Sequence, residues 1–370
     1  MRDESVGKNQ RNTPNFPLEL PRLKQFVDTL NFDHFSALTD ETGMLQHTKF
    51  SIPDRRLGYT TDDNARALVV STRQYDIELH RTWLSMAGKF LAFLIAMQRP
   101  DGQFHNFMSY AREVRDDVDS GDHLGRSLWA LGCVVDSCLP DGVRASAKES
   151  FDKALPWAFR STSIRVKAHA VKGLSRYISR FEEDLNARQN MSNLVKQLVT
   201  EYKTNRNDDW RWFEDILAYE NWRLPECLFE AYLTGDDCLE IAEESLGFLK
   251  NVEFKDGMLN PVGSEGWYPH NQPKPQFDQL PVEAGSAVEA LAVAAKATGS
   301  TAHGDLALTA LEWYHGRNIR NVKLYDDRTG ACYDGLSSSG LNLNKGAEST
   351  LSYLLAVTKL QLLALGKSVS

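Results

Sequence analysis

Apolar residues recur at i, i+3, i+4 and i+7 along most of the chain, the spacing that places them on one face of an α-helix. No stretch alternates between polar and apolar residues for long enough to predict a major sheet. The pattern predicts twelve helices, which cover residues 18–30, 63–75, 83–97, 124–136, 144–159, 164–179, 191–202, 219–234, 239–249, 282–297, 306–319 and 347–365.

Two kinds of helix alternate along the chain. One kind is rich in small residues and follows a polar or Gly-rich approach; its members begin near positions 62, 122, 164, 219, 282 and 346. The helices between them, such as WLSMAGKFLAFLIAMQ, are ordinarily amphipathic. A repeated helix pair must pack on its neighbours to bury its apolar faces. The sequence therefore predicts an all-α fold, an (α/α)6 toroid of six inner and six outer helices, formed by residues 16–370 as one domain. The helix at 18–30 completes the outer ring, and residues 1–15 are expected to be disordered.

Three segments that follow outer helices contain hairpin turns: AMQRPDGQFHNFMS, NVEFKDGMLNPVG and LYDDRTGACYDGLS. Asp-Gly and Thr-Gly between apolar or aromatic residues are typical of short β-hairpins. Each hairpin leads toward the start of an inner helix, so all three are expected on the rim where the inner helices begin.

Polar residues gather at the starts of the inner helices, which converge in a closed ring. The combination of carboxylates with aromatic loop residues is typical of a sugar site, because aromatic rings stack on pyranose faces while polar groups bind hydroxyls. The candidate catalytic residues are Asp62, Asp63, Asp122 and Glu283. The candidate substrate-binding residues are Arg66, Asn106, His123, Arg126, Trp210, Trp212, Glu214, Glu220, Trp222, Trp267, Tyr268, Asp278, Asp334 and Glu348.

Each candidate also has a structural interpretation. An Asp at a helix start is the commonest N-cap, so Asp62 or Asp63 alone is explained equally well by capping. A shared pocket is favoured because polar starts occur on most of the six inner helices, all at the same end. In glycosidic chemistry one carboxyl group must be protonated and another ionised.

The amino-acid composition narrows the range of possible functions. Fifty acidic against forty-two basic residues give a net charge of −8, which argues against a nucleic-acid-binding surface and favours neutral over polyanionic glycans. The chain has no run of apolar residues long enough for a membrane span. The start, MRDESVGKNQRNTPNF, is polar and charged and is not expected to be a secretory signal, and the five cysteines, which lack metal spacing, are expected to be reduced packing residues. A cytoplasmic protein without metal or cofactor is expected.

Several motifs resemble a known group. TTDDNARAL, SGDHLGRSLWALG, WRWFEDILAYENWRLPE, GWYPHNQPKPQFDQLPVEA and NKGAEST resemble the six-hairpin glycosidase group, whose fold is an (α/α)6 toroid. They are also similar to a bacterial group described as glycosidase-like or glycosyltransferase-associated. The resemblance spans roughly positions 16 to 365. Adjacent aspartates at an inner-helix start resemble the catalytic pair of some endo-mannanases of this fold, which implies that role for Asp62 and Asp63.

Three functions follow from these patterns. The first is an inverting glycoside hydrolase, or a phosphorylase, acting on neutral manno- or gluco-oligosaccharides with Asp62 or Asp63 plus Glu283 or Asp122. The second is an isomerase similar to N-acylglucosamine or cellobiose 2-epimerase, with His123 and His169 as its paired histidines. The third is a non-catalytic glycan-binding partner of a glycosyltransferase. The excess of carboxylates favours hydrolysis.

Overall fold

The structure, a computed structural model, describes residues 18–115 and 121–367; the segment 1–15 lies outside these ranges. Within them the chain forms thirteen α-helices: α1 (Leu20–Val27), α2 (Asp33–Leu38), α3 (Thr61–Glu78), α4 (Arg81–Met97), α5 (Asp122–Asp136), α6 (Asp141–Ala158), α7 (Ile164–Arg180), α8 (Leu185–Asn205), α9 (Arg223–Leu233), α10 (Leu239–Glu253), α11 (Pro281–Thr298), α12 (Thr301–Leu311) and α13 (Ala347–Ala364). None of these helices is both long and apolar enough to cross a membrane.

Twelve of the helices form two concentric rings. The inner ring consists of α3, α5, α7, α9, α11 and α13; each packs against the next, and α13 packs against α3. Helices α4, α6, α8, α10 and α12 each pack on the inner helix that precedes them, and α1 packs on α13. The predicted (α/α)6 toroid is confirmed, including closure of the outer ring by the N-terminal helix.

Helix bounds differ from the prediction where local geometry overrides the apolar spacing. The helix predicted from residue 219 begins only at Arg223, because Glu220 adopts a left-handed conformation (φ 48°). Helix α12 ends at Leu311, eight residues before the predicted end, and continues as a short 3₁₀ turn at Glu312–Tyr314. Helix α2 was not predicted, since six residues are too few to show a helical period.

Small residues allow the inner helices to approach closely. A Cβ atom placed on Gly132 of α5 would lie 2.3 Å from the Gly173 carbonyl oxygen of α7. A Cβ on Gly173 would lie 2.4 Å from the Leu128 carbonyl oxygen. Side chains larger than hydrogen cannot fit between backbones at these distances. The glycines therefore determine how near α5 lies to α7.

The strands are short and lie in the connecting segments. They are β1 (Thr48–Lys49), β2 (Ile52–Pro53), β3 (Tyr59–Thr60), β4 (Phe107–Met108), β5 (Val114–Arg115), β6 (Ile216–Leu217), β7 (Phe254–Lys255), β8 (Met258–Leu259), β9 (Tyr268–Pro269), β10 (Tyr325–Asp326), β11 (Ala331–Cys332), β12 (Gly335–Ser337) and β13 (Gly340–Asn342). The predicted hairpins are present as the Gln98–Phe104 bridge and the antiparallel pairs β7–β8 and β10–β11. Each joins an outer helix to the rim where the next inner helix begins.

The cysteines are all free. Cys133, Cys227, Cys238 and Cys332 are buried, as expected of packing residues. Cys138 is exposed in the α5–α6 connection, so the packing interpretation fails for this residue.

Candidate active site

The starts of α3, α5 and α13, together with the rim loops, enclose a pocket of about 650 Å³. This volume lies within the usual range of small-molecule sites. The pocket wall consists of Gln46, His47, Thr60, Asp62, Asp63, Arg66, Asn106, Asp122, Arg126, Tyr219, Asp334, Gly346, Glu348 and Ser349. The structure thus brings together eight of the residues that the sequence singled out: Asp62, Asp63, Asp122, Arg66, Asn106, Arg126, Asp334 and Glu348.

The first turn of α3 carries the two adjacent aspartates. Its N-cap is Thr60, whose hydroxyl oxygen accepts a hydrogen bond from the Asp63 backbone N–H at 3.2 Å. The same hydroxyl donates to Asp63 Oδ2 at 2.8 Å. Because Thr60 caps the helix, capping does not account for either aspartate, and both carboxyl groups face the pocket.

Asp63 lies deep in the pocket wall, with only 6% of the residue exposed. Arg66 Nη1 donates to its Oδ1 at 3.1 Å. Burial nevertheless raises the pKa of Asp63 to about 6, and the nearby charges of Glu348 and Asp62 add to this effect. The carboxyl group of Asp63 is therefore suited to hold a proton in mildly acidic solution.

The pKa of Asp62 is shifted in the opposite direction to that of Asp63. Its Oδ1 accepts from Arg126 Nη1 at 2.6 Å, and its Oδ2 accepts from Asn106 Nδ2 at 3.2 Å. Burial works against ionisation, but the positive charges of Arg126 and Arg66 outweigh it and lower the pKa of Asp62. At pH values below about 6 and above the lowered pKa of Asp62, Asp63 holds a proton while Asp62 is ionised, the condition that acid–base chemistry requires.

Two buried arginines each bridge a pair of carboxylates. Arg66 connects Asp63 with Glu348, to which its Nη2 donates at 2.9 Å. The Tyr219 hydroxyl accepts from the same Nη2 at 2.7 Å and donates to Glu348 at 2.5 Å. Arg126 connects Asp62 with Glu220. The pocket wall carries five carboxyl groups and two guanidinium groups, so acidic groups are in excess there.

Two further carboxyl groups line the pocket. Asp122 begins α5 and accepts from the Ser163 hydroxyl at 3.1 Å. Asp334 accepts from the Gly346 backbone N–H at 2.6 Å. Burial raises the pKa of both groups above the ordinary value of aspartate.

Three polar candidates lie behind the pocket wall rather than in it. Glu283 is fully buried, and its Oε1 accepts from the Glu220 backbone N–H at 2.6 Å. Burial raises the pKa of Glu283 well above its ordinary value, which favours the neutral form of its carboxyl group. Glu220 is 1% exposed and ion-paired, and His123 Nε2 makes a 2.9 Å hydrogen bond with the Phe104 carbonyl. None of the three lines the pocket, because the first turns of α5 and α11 and the approach to α9 direct these side chains into the core.

The tryptophans expected to stack on sugars are core residues. The indole of Trp210 donates to the Glu214 carbonyl at 2.7 Å, and that of Trp222 donates to Glu253 at 2.8 Å. Trp212 is fully buried against Phe248 of α10. The loop that carries them folds back over the outer helices, so these rings stabilise the loop instead of forming a sugar platform.

The remaining candidates also lie outside the pocket wall. Tyr268 pairs with Leu217 across strands β9 and β6, while Trp267 contacts pocket-lining Tyr219 edge to face at 6.5 Å. Glu214 forms an ion pair with Arg165 at 2.8 Å, and Asp278 is exposed in the approach to α11.

Six pocket residues were not predicted: Gln46, His47, Thr60, Tyr219, Gly346 and Ser349. Gln46 and His47 precede a short hairpin that has no helical period. They reach the pocket because the Ala347 N–H donates to the Gln46 carbonyl at 2.9 Å, a contact between distant parts of the sequence. Tyr219 could have been predicted from the sequence, since it directly precedes Glu220-Asn221 at the polar start of an inner helix.

The described residues include no group of three or more His, Cys, Asp or Glu placed to hold a metal ion. The segment REVRDDVDSGD holds four aspartates, Asp116, Asp117, Asp119 and Asp122, but lacks the Gly and Glu positions of a helix-loop-helix calcium site; the first three lie outside the described ranges.

Comparison with known proteins shows which solved structures share this fold. No protein-family model matches the sequence, and no curated protein sequence matches it. Among solved structures, the chain is similar to the cellobiose 2-epimerase of Bacillus thermoamylovorans B4167, with a TM-score of 0.70, 12% identity and coverage of 92% of this chain and 99% of the other. It is also similar to a D-mannose isomerase, with a TM-score of 0.71, 13% identity and coverage of 95% and 98%. A GH76 α-mannanase of Bacteroides thetaiotaomicron gives a TM-score of 0.63 at 10% identity, over 92% of this chain and 94% of the other.

These similarities assign the protein to a structural class. The chain shares its (α/α)6 toroid fold with the epimerase, isomerase and mannanase structures, and this is the fold that the sequence predicted. At these identities the likeness concerns the fold alone, and the chemistry must be argued from the pocket.

Proposed function

We propose that the protein is a glycoside hydrolase that cleaves neutral manno- or gluco-oligosaccharides. The observation that carries the proposal is the pair Asp62–Asp63, two adjacent carboxyl groups in one pocket whose pKa values are shifted in opposite directions. Paired carboxyl groups with opposite protonation states perform glycoside hydrolysis in many enzymes.

The roles of the two aspartates follow from their protonation states. Protonated Asp63 donates its proton to the glycosidic oxygen as the bond from that oxygen to the anomeric carbon breaks. Ionised Asp62 stabilises the positive charge that develops on the sugar ring. Water supplies the new hydroxyl group, and its released proton restores the acid form of the pair.

The charges of the pocket favour a neutral substrate and water as the acceptor. Five carboxyl groups line it, those of Asp62, Asp63, Asp122, Asp334 and Glu348. Its two arginines, Arg66 and Arg126, are each held by two carboxylates. An incoming phosphate or uronate would meet this acidic excess, which argues against phosphorolysis and against acidic glycans.

A sugar 2-epimerase is the second candidate. It is favoured by the similarity to a cellobiose 2-epimerase and a mannose isomerase over nearly the whole chain, and by His47 in the pocket wall. The expected pair His123 and His169 does not support it. His169 is fully buried, its ring stacks on Trp129 at 5.6 Å, and burial lowers its pKa to about 4.

Proton NMR of the anomeric region distinguishes these functions. We expect new reducing ends when the protein is incubated with neutral manno- and gluco-oligosaccharides, independent of added phosphate. An inverted first anomer would make Asp62 the base that activates water; a retained one would make it the nucleophile. Epimer interconversion without cleavage would replace the hydrolase by the isomerase. Binding of the sugars without any turnover would favour a glycan-binding partner of a glycosyltransferase.

A further inference from the structure

Arg126 holds two carboxylates at once, one inside the pocket and one behind it. Its Nη1 donates to Asp62 Oδ1 and its Nη2 donates to Glu220 Oε2, each at 2.6 Å. A guanidinium facing a single carboxylate prefers two parallel hydrogen bonds to it. Glu220 therefore occupies the nitrogen that would otherwise make a second bond to Asp62.

The position of Glu220 is fixed from several sides. Arg223 Nε donates to its Oε1 at 3.2 Å, and His169 Nε2 lies 3.3 Å from its Oε2. Its backbone N–H donates to Glu283 at 2.6 Å, and its own φ is 48°. A left-handed conformation is unfavourable for glutamate and persists only where the surroundings impose it. The carboxylate of Glu220 is thus held rigidly against Arg126.

We propose that Glu220 is a positioning residue. By accepting a hydrogen bond from Nη2 of Arg126, it limits that arginine to a single hydrogen bond with Asp62 and keeps the Asp62 carboxylate directed into the pocket. The inference rests on the proposed function of Asp62. Without Glu220, the buried Arg126 keeps Asp62 as its hydrogen-bonded anionic partner, with the charge of Asp122 nearby. It then turns both terminal nitrogens toward Asp62 and withdraws that carboxylate from the sugar.

Kinetics of three variants test the proposal. We expect Glu220→Ala to lower kcat roughly 10–100-fold through displacement of a reacting group, with a smaller change in KM because the pocket wall is unaltered. Glu220→Gln keeps an oxygen that can accept from Arg126, so it should restore most of kcat. Glu230→Ala is the matched control, since Glu230 is a buried glutamate of α9 whose ion pair is with Lys359 of α13 rather than with Arg126 or Arg223. Its kcat per folded molecule should stay near that of the wild type.

Equal losses of kcat in Glu220→Ala and Glu230→Ala would overturn the proposal, as would a Glu220→Gln variant no better than Glu220→Ala. If Glu220→Ala fails to fold, the shorter Glu220→Asp and Glu230→Asp make the same comparison.

A crystal structure of the Glu220 variant provides a readout that needs no turnover. We expect both Arg126 terminal nitrogens within hydrogen-bond distance of Asp62. An Arg126 that keeps a single bond to Asp62 would refute the positioning role. A protein that turns over no sugar would contradict the proposed hydrolase, while the crystal structure would still decide how Glu220 acts on Arg126.

Discussion

At the residue scale, the hydroxyl group of Thr60 shapes the chemistry of α3. By capping the helix it leaves the two following carboxyl groups free of that task. Asp63 is then buried beside Arg66, while Asp62 meets the stronger and shorter contact from Arg126. The difference in pKa between two neighbours in sequence arises from this difference in depth and counter-charge.

Replacing the proposed acid should abolish turnover without unfolding the protein. We expect Asp63→Asn to lower kcat by about 10²–10⁴-fold, the usual contribution of a general acid. Asp141→Asn is the control, because Asp141 also lies in the first turn of a helix but is exposed on α6. Hydrolysis rates of the two variants and circular dichroism spectra make the comparison. Unchanged turnover in Asp63→Asn would remove Asp63 from the reaction.

The pH dependence of hydrolysis should follow the same pair. Asp63 must be protonated and Asp62 ionised, so kcat/KM should fall as pH rises through about 6. Activity should persist at pH values somewhat below the ordinary pKa of aspartate, since the pKa of Asp62 is lowered. Initial rates between pH 3.5 and 8 check this prediction. A rate that rises between pH 6 and 8 would contradict it.

The raised pKa of Asp63 also affects stability. In the unfolded chain this group ionises near 3.8, whereas in the folded protein it keeps its proton up to about pH 6. The folded state is therefore favoured below the unfolded pKa, and this contribution is lost as pH rises through 6, by about 3 kcal/mol. Asp63→Asn has no ionisable group at this position, so its free energy of unfolding does not decrease in this pH range for that reason. Urea unfolding should show the variant gaining on the wild type between pH 4 and pH 8, and an equal difference at both values would count against the shift.

At the element scale, the small residues of the inner helices are a packing requirement. Gly173→Ala should lower the free energy of unfolding by about 1–3 kcal/mol, because the new Cβ would lie 2.4 Å from the Leu128 carbonyl oxygen. Gly142→Ala is the control: it lies near the start of α6 with no atom within 4 Å of its Cβ, and it should be neutral or stabilising by about 0.4–1 kcal/mol. Chemical denaturation measures both. Similar effects of the two substitutions would disprove the close-approach argument.

Helix periodicity predicted the elements better than it predicted the site. The two kinds of helix were recognisable because burial on all sides favours alanine and glycine, which shows in the composition of each helix. The burial of an aromatic residue in a loop depends instead on contacts with residues far away in the sequence. Trp210 and Trp222 stand among polar residues in the sequence, yet tertiary packing buries both. The pocket residue Gln46 was missed for the same reason, since a contact with Ala347 brings it there.

At the scale of the whole molecule, the outer ring depends on its first helix. Phe26 of α1 is 7% exposed and lies with its ring centroid 5.0 Å from that of His315. Phe26→Ala should cost about 3–5 kcal/mol of unfolding free energy, the usual effect of removing a buried phenyl ring. Leu20 on the same helix is 55% exposed, and Leu20→Ala should change stability by less than about 0.5 kcal/mol. Thermal unfolding of the two variants tests whether α1 is an integral part of the toroid; equal melting temperatures would show that it is not.

The contact between α3 and α13, which closes the inner ring, has a consequence for synthesis in the cell. Arg66 and its partner Glu348 are separated by 282 residues, so a ribosome adding about 5–20 residues per second needs roughly 14–56 s between them. During that interval the nascent chain carries Asp63 and Arg66 on α3 but lacks the helix that completes the pocket. The proposed hydrolase should therefore gain its activity only with the last inner helix, and translation products that stop before α13 should be inactive however well their earlier helix pairs fold.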